Sequence, residues 1–196
     1  DLGAGEAAFV NGALGHGLVR EDMHVASCTH LGVVVWPTLF ALAERERIDS
    51  KDFLACGAVG YEVGARVGRA LFDTELQSKI RPTGTVGAIG AAVAGARLLG
   101  LTEEQTISAI GLAANMASGV NEWPWVGGHE MVFHAGTAAR NAVTAVLLAR
   151  EGVYASPSAI DGRAGLFAAY DRRAKASGIV PLGDGKWDIM EVYFKP

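Results

Sequence analysis

Apolar and small residues fill this chain in long runs, and the short polar clusters that break them leave segments of helical length. Residues 6–19 are small or apolar with glycine as the main breaker, which predicts a helix. Residues 20–29 are polar and predict a loop. Residues 30–47, which carry the run Gly-Val-Val-Val-Trp-Pro, predict a buried helix. The valine triplet alone would suit a strand, but the length favours helix, and Pro37 predicts a kink or a late start. Ser50 is the expected N-cap of a helix over residues 51–72, in which Gly60, Gly64 and Gly68 recur every four residues. Each glycine costs a helix interior about 1 kcal/mol relative to alanine, so the stripe predicts close backbone packing between helices. Residues 85–99 predict another Gly/Ala-rich helix, and Thr102-Glu103-Glu104-Gln105 predicts a capping box before a helix over 107–118. A further helix is expected over 134–151, ended by Gly152. A short turn is expected at Ser156-Pro157-Ser158, and residues 161–167 return to the core. Residues 186–196 alternate like a strand without a partner strand elsewhere in the chain. About six helices with no sustained heptad predict an all-α, Gly/Ala-rich orthogonal bundle.

The 196 residues suffice for one sizeable core. Half are hydrophobic and 19% are charged, yet charged residues, glycine or histidine interrupt every run before the 18 residues a membrane span needs. The net charge of -4 offers no basic footprint for nucleic acid. Two cysteines, Cys28 and Cys56, have no metal-ligand spacing and suit a reducing compartment, so a cytoplasmic location is expected. The start at Asp1 without Met and the terminal strand-like segment read as a chain cut from something longer. A helical domain over residues 1–172 is expected, then a linker and the first strand of a missing α+β domain over 173–196.

The chemistry concentrates in Arg20-Glu21-Asp22-Met23-His24 and Thr29-His30. Asp22, His24 and His30 are expected to converge at one loop mouth, since loops on rigid helices carry catalytic groups. A histidine near its ordinary pKa serves as general acid or base, worth roughly 10²- to 10⁴-fold in rate. The bland alternative has Glu21 and Asp22 capping a helix and His24 solvated. A metal site is disfavoured, because Asp-x-His-x5-His lacks the i, i+4 pair of zinc enzymes. Arg81-Pro82-Thr83-Gly84-Thr85 precedes a helix N-terminus and suits an anion, with a plain helix start as the rival reading. His134 follows the aromatic loop Trp123-Pro124-Trp125 and reads as a packed histidine or as a substrate contact.

Taken in order, several short motifs resemble the MmgE/PrpD family. They are Phe9-Val10-Asn11-Gly12-Ala13-Leu14-Gly15-His16-Gly17-Leu18, Glu21-Asp22-Met23-His24, Thr29-His30, Gly60-Tyr61-Glu62-Val63-Gly64, Pro82-Thr83-Gly84-Thr85-Val86-Gly87, Arg97-Leu98-Leu99-Gly100-Leu101, His134-Ala135-Gly136-Thr137-Ala138-Ala139 and Asp161-Gly162-Arg163-Ala164-Gly165. The resemblance implies a helical domain joined to a smaller α+β domain, an active site between them, and a homodimer. It places Asp22 and His24 in the family's acidic loop and matches His30 to the loop histidine. Lys195 is matched to the lysine that opens the second domain. The sequence departs from the family where Val19-Arg20 replaces the first loop acid, Arg81 a histidine, Leu31 a proline and Met131 a lysine. Two departures introduce arginine, which suits bidentate carboxylate binding. The resemblance thus implies a cofactor-independent lyase or isomerase, dehydratase-like, acting beside a carboxylate of a small di- or tricarboxylate. Asp22, His24, His30 and Lys195 would be catalytic, and Arg20, Arg81, Thr83 and His134 would hold substrate. Two cysteines are too few for an iron–sulfur cluster. The rivals are an inactive helical interaction module and a metal-dependent hydrolase on Asp22, His24 and His30.

Overall fold

The computed structural model describes residues 2–48, 51–181, 183 and 185–194. Ser50, expected as a cap, and Lys195, expected as catalytic, lie outside the described residues. Helix α1 (Ala4–His16) leads into strand β1 (Asp22–His24) and a 3-10 turn (Val25–Ser27), followed by α2 (Gly32–Glu46) and α3 (Phe53–Leu71). Then come α4 (Thr74–Gln77), α5 (Pro82–Leu98), α6 (Glu103–Asn115), α7 (Trp123–Val126), α8 (Glu130–Arg150) and α9 (Leu166–Ala169). The described chain closes with 3-10 turns at Arg173–Ile179 and Asp188–Glu191 and strand β2 (Val192–Phe194). Helices α4, α7 and α9 are single turns, so among the described residues six long helices carry the all-α fold. None of the described helices is long and apolar enough to cross a membrane.

Helix α5 is the centre. Every residue in it except Val93 and Arg97 is buried, and α2, α3, α6 and α8 all pack on it. Only small side chains let four helices approach one so closely. A Cβ on Gly90 would stand 2.4 Å from the Gly60 carbonyl oxygen and 3.0 Å from the Gly64 Cα, so the expected stripe does pack α3 directly on α5. Gly68 makes room for the Ser27 side chain of the loop as well as for Val86 of α5. Where α1 crosses α8, a Cβ on Gly136 would stand 2.4 Å from the Phe9 carbonyl. Pro37 falls inside α2, where it denies the Val33 carbonyl its usual donor. That carbonyl faces α1 and leaves 3.0 Å for any Cβ on Gly12. The capping box forms as expected between Thr102 and Gln105.

Two expectations are corrected. The terminal segment does have a partner: β2 pairs antiparallel with β1, with Asp22 opposite Phe194, Met23 opposite Tyr193 and His24 opposite Val192. A three-residue strand inside a polar stretch is too short to show an alternation of its own, which hid β1 in the sequence. Helix α8 starts at Glu130, so His134 sits in its second turn rather than at its start. The aromatic loop before it is itself a helical turn, closed by Gly127 at φ 73°.

Candidate active site

Helix α1 ends at His16, and the chain turns through Val19, at φ 52°, so that Glu21 comes back under the imidazole. His16 Nδ1 meets Glu21 Oε1, and an Arg81 guanidinium nitrogen lies 3.0 Å from His16 Nε2. Arginine can only donate. Nε2 of His16 is therefore the acceptor, and the Nδ1 proton points at the Glu21 carboxylate. The His30 ring lies 5.1 Å from that of His16, with its Nδ1 2.9 Å from the Asp22 carbonyl oxygen and 3.2 Å from Glu21 Oε1. Both oxygens are acceptors, so His30 Nδ1 carries a proton. The backbone of His30 is fixed by its N–H donating to Thr83 Oγ1 at 3.1 Å, which ties the loop to the first turn of α5.

His16 and His30 are almost wholly buried, and Arg81 is 7% exposed. Burial alone would raise the Glu21 carboxyl, but the hydrogen bond from His16 and the nearby imidazoles outweigh it and hold its pKa below the usual value. Burial pulls the Arg81 pKa down, opposed by Cys28 and Glu21, and pulls His134 down too, with Arg81 adding to the effect. Arg81 stands over the Trp123 ring at 6.0 Å. Gly119, at φ 125°, separates it from His134: a Cβ there would lie 3.1 Å from the Arg81 Cβ and 3.5 Å from the His134 ring. Three buried polar atoms in this group lack a hydrogen-bond partner among the described residues: Glu21 Oε2, Arg81 Nε and His134 Nδ1. Such atoms are costly unless something pairs with them.

The expected meeting of Asp22, His24 and His30 at one mouth does not occur. The Asp22 carboxylate accepts from Gly32 N at 3.1 Å at the start of α2 and bonds the Tyr61 hydroxyl. Burial raises its pKa against those bonds. His24 turns toward Ser27 and Asp188. Arg20 is exposed, and Met131 is buried. His16 lies outside the expected site residues, and Glu21 lies in the expected chemical segment without a role of its own. The signal was a histidine at the last position of a helix, five residues before an acid across a tight turn. His16, Glu21 and His30 are also the group of described residues able to offer a cation three ligand atoms, all within 4.8 Å of one another, although all three residues already hydrogen-bond within the site. A cavity of about 590 Å³ opens beside Glu21 and Asp22, walled by Trp36, Phe40, Tyr61 and Phe194. Another, of about 460 Å³, lies by Arg163 and Tyr170 and shares no residue with the cluster.

A model of the MmgE/PrpD N-terminal domain matches residues 1–178. The chain belongs to the MmgE/PrpD family. Among its MmgE/PrpD relatives, the cis-aconitate decarboxylase-like protein oryM of Aspergillus oryzae is 38% identical over 154 residues, 74% of this chain and 32% of its own length. Cis-aconitate decarboxylase of Aspergillus terreus is 33% identical over 85% of this chain and 35% of its own. The Homo sapiens cis-aconitate decarboxylase is 31% identical over 96% of this chain and 40% of its own. The chain thus spans about a third to two fifths of the length of these relatives.

Proposed function

We propose that this MmgE/PrpD domain supplies the proton-transfer and carboxylate-binding half of a lyase site acting on a small tricarboxylate of the cis-aconitate type. The observation that carries the reading is the buried chain Arg81–His16–Glu21–His30, in which one permanent cation and one ionised carboxylate fix the tautomers of two adjacent histidines. Relatives named as cis-aconitate decarboxylases support the substrate class.

In decarboxylation the C–C bond to a departing carboxylate breaks, carbon dioxide leaves, and the electron pair stays on the carbon framework until a proton arrives. Arg81, with His134 beside it, would hold a remaining carboxylate over which that charge spreads, where a buried cation acts in low dielectric. His30 Nε2, protonated from solvent while Glu21 balances the imidazolium, would deliver the proton and return to neutral. Dehydration or epimerisation would use the same nitrogen in reverse, to remove a proton beside a carboxylate.

The test is the full-length protein incubated with cis-aconitate, with carbon dioxide release measured for wild type and His30→Ala. The expected result is a loss of about 10²- to 10⁴-fold in kcat with the fold intact. Wild-type turnover that survives His30→Ala unchanged would overturn the assignment.

A further inference from the structure

The other face of the same loop carries a polar group that the proposed chemistry leaves unused. His24 is 1% exposed; its Nδ1 lies 2.8 Å from Ser27 Oγ, and its Nε2 faces Asp188 Oδ1 at 3.7 Å with no hydrogen-bond partner among the described residues. Asp188, also 1% exposed, receives two hydrogen bonds from Arg69 of α3, at 2.6 and 3.1 Å. One residue on, the Ile189 N–H donates to Glu62 Oε2 at 2.8 Å, again on α3. The Ser–His–Asp order suggests a nucleophile, but Ser27 is fully buried, Asp188 is neutralised by Arg69, and neither cavity described above touches any of the three.

What the group does touch is the loop's backbone. His24 is the last residue of β1, three positions after Glu21, and its backbone pairs with Thr29 through two hydrogen bonds, His24 N to Thr29 O at 2.9 Å and Thr29 N to His24 O at 3.3 Å. His30 follows directly. The Asp188–Glu191 turn runs straight into β2, which pairs with β1. The loop bearing Glu21 and His30 is therefore held on one side by α2 and α5, through Asp22 to Gly32 and His30 to Thr83. On the other side it is held by the Arg69–Asp188 pair and β2.

We infer that Asp188, clamped by Arg69 and packed under His24, is a positioning residue that seats β2 on β1 and so sets the placement of Glu21 and His30. His24 is then part of this clamp rather than an acid or base. The inference rests on the proposed role of Glu21 and His30 for its kinetic readout alone.

The experiment compares wild type, Asp188→Asn and, as a surface ion-pair control, Arg150→Gln in the full-length protein. It measures kcat and KM on cis-aconitate together with amide hydrogen exchange across residues 21–30. In Asp188→Asn we expect kcat to fall about 10- to 100-fold, as displaced catalytic groups do, with KM nearly unchanged and faster exchange at His24 and Thr29. Arg150→Gln leaves all three as in wild type. A folded Asp188→Asn with wild-type exchange across the loop would overturn the inference, as would a change confined to KM. If the wild type proves inactive on cis-aconitate, the exchange comparison still decides, so failure of the proposed reaction and of the clamp are told apart. Should Asp188→Asn not fold, Arg69→Lys, which keeps the charge but loses the forked geometry, is read by the same criteria.

Discussion

His24 and His30 lie six residues apart in one loop and are buried to almost the same degree, at 1% and 2% exposure, yet their surroundings differ in kind. Around His24 the charges cancel: Asp188 is held by a forked arginine, and β2 closes over the top. Around His30 the charges do not all pair: among the described residues Arg81 Nε and Glu21 Oε2 have no hydrogen-bond partner, and a cavity opens beside Glu21. Each face keeps a buried polar atom unpaired among the described residues, His24 Nε2 on one and Glu21 Oε2 and Arg81 Nε on the other, so what separates them is the forked arginine clamp beside His24 and the cavity beside Glu21. The closed face of the loop holds; the open face is built to act.

That contrast can be broken most sharply by treating the two arginines alike. Arg69→Met leaves Asp188 buried and uncompensated, which we expect to cost about 3–5 kcal/mol. Arg81→Met removes a cation whose own burial is unfavourable, so it should change stability little while lowering turnover by about 10²- to 10³-fold. Chemical denaturation of both variants, with activity measured in parallel, checks the pairing. Equal destabilisation by the two would erase the distinction between the faces.

A smaller effect is expected from Thr83→Val, which keeps the shape but strips the acceptor from the buried His30 N–H. The loss should be about 1–3 kcal/mol. It should appear with faster exchange at the His30 amide and not at residue 192, across the ladder from His24.

The smallest expected effect is a slope with pH. Burial holds His24 and His134 below the ordinary histidine value of 6.5, so below that value the unfolded chain binds protons that the folded chain refuses. Stability should therefore fall as the pH drops from about 6.5 toward their lowered folded values. Asp22 runs the other way: its raised pKa makes the ionised form a burden that is relieved as the pH falls through the folded value. Thermal midpoints of wild type and His134→Asn across this range test the sign, and a midpoint that rises on acidification toward pH 5.5, roughly, would contradict it.

Much of the fold was legible in the sequence because it is written in local, periodic features. The Thr102 capping box, the Gly60 to Gly68 stripe and the Gly/Ala texture of α5 each have a physical cost that only one packing arrangement relieves. Strand β1 was not legible, because three residues cannot display an alternation, and its partner is some 170 residues away. The site was half legible. Proximity in sequence grouped Asp22, His24 and His30, whereas the structure gathers His30 and Arg81 with His16 and Glu21. Asp22 and His24 share one face of β1 but meet different elements, the start of α2 and the Asp188 turn, while His30 lies beyond the turn at residues 25–27. His16 was overlooked since nothing in a glycine-rich helix distinguishes its last histidine until the turn at Val19 folds Glu21 beneath it.

Glu21 and Asp22 are adjacent carboxylates in one loop, and comparing them isolates the question of which face acts. The decisive measurement is kcat for carbon dioxide release from cis-aconitate by the full-length protein carrying Glu21→Gln or Asp22→Asn. Glu21→Gln should lose about 10²-fold or more, because the buried imidazolium loses its counter-charge, and Asp22→Asn should stay within about 10-fold of wild type, since its amide oxygen still accepts from Gly32. The opposite ranking would place the chemistry on Asp22 and contradict an active centre made of His16, Glu21, His30 and Arg81.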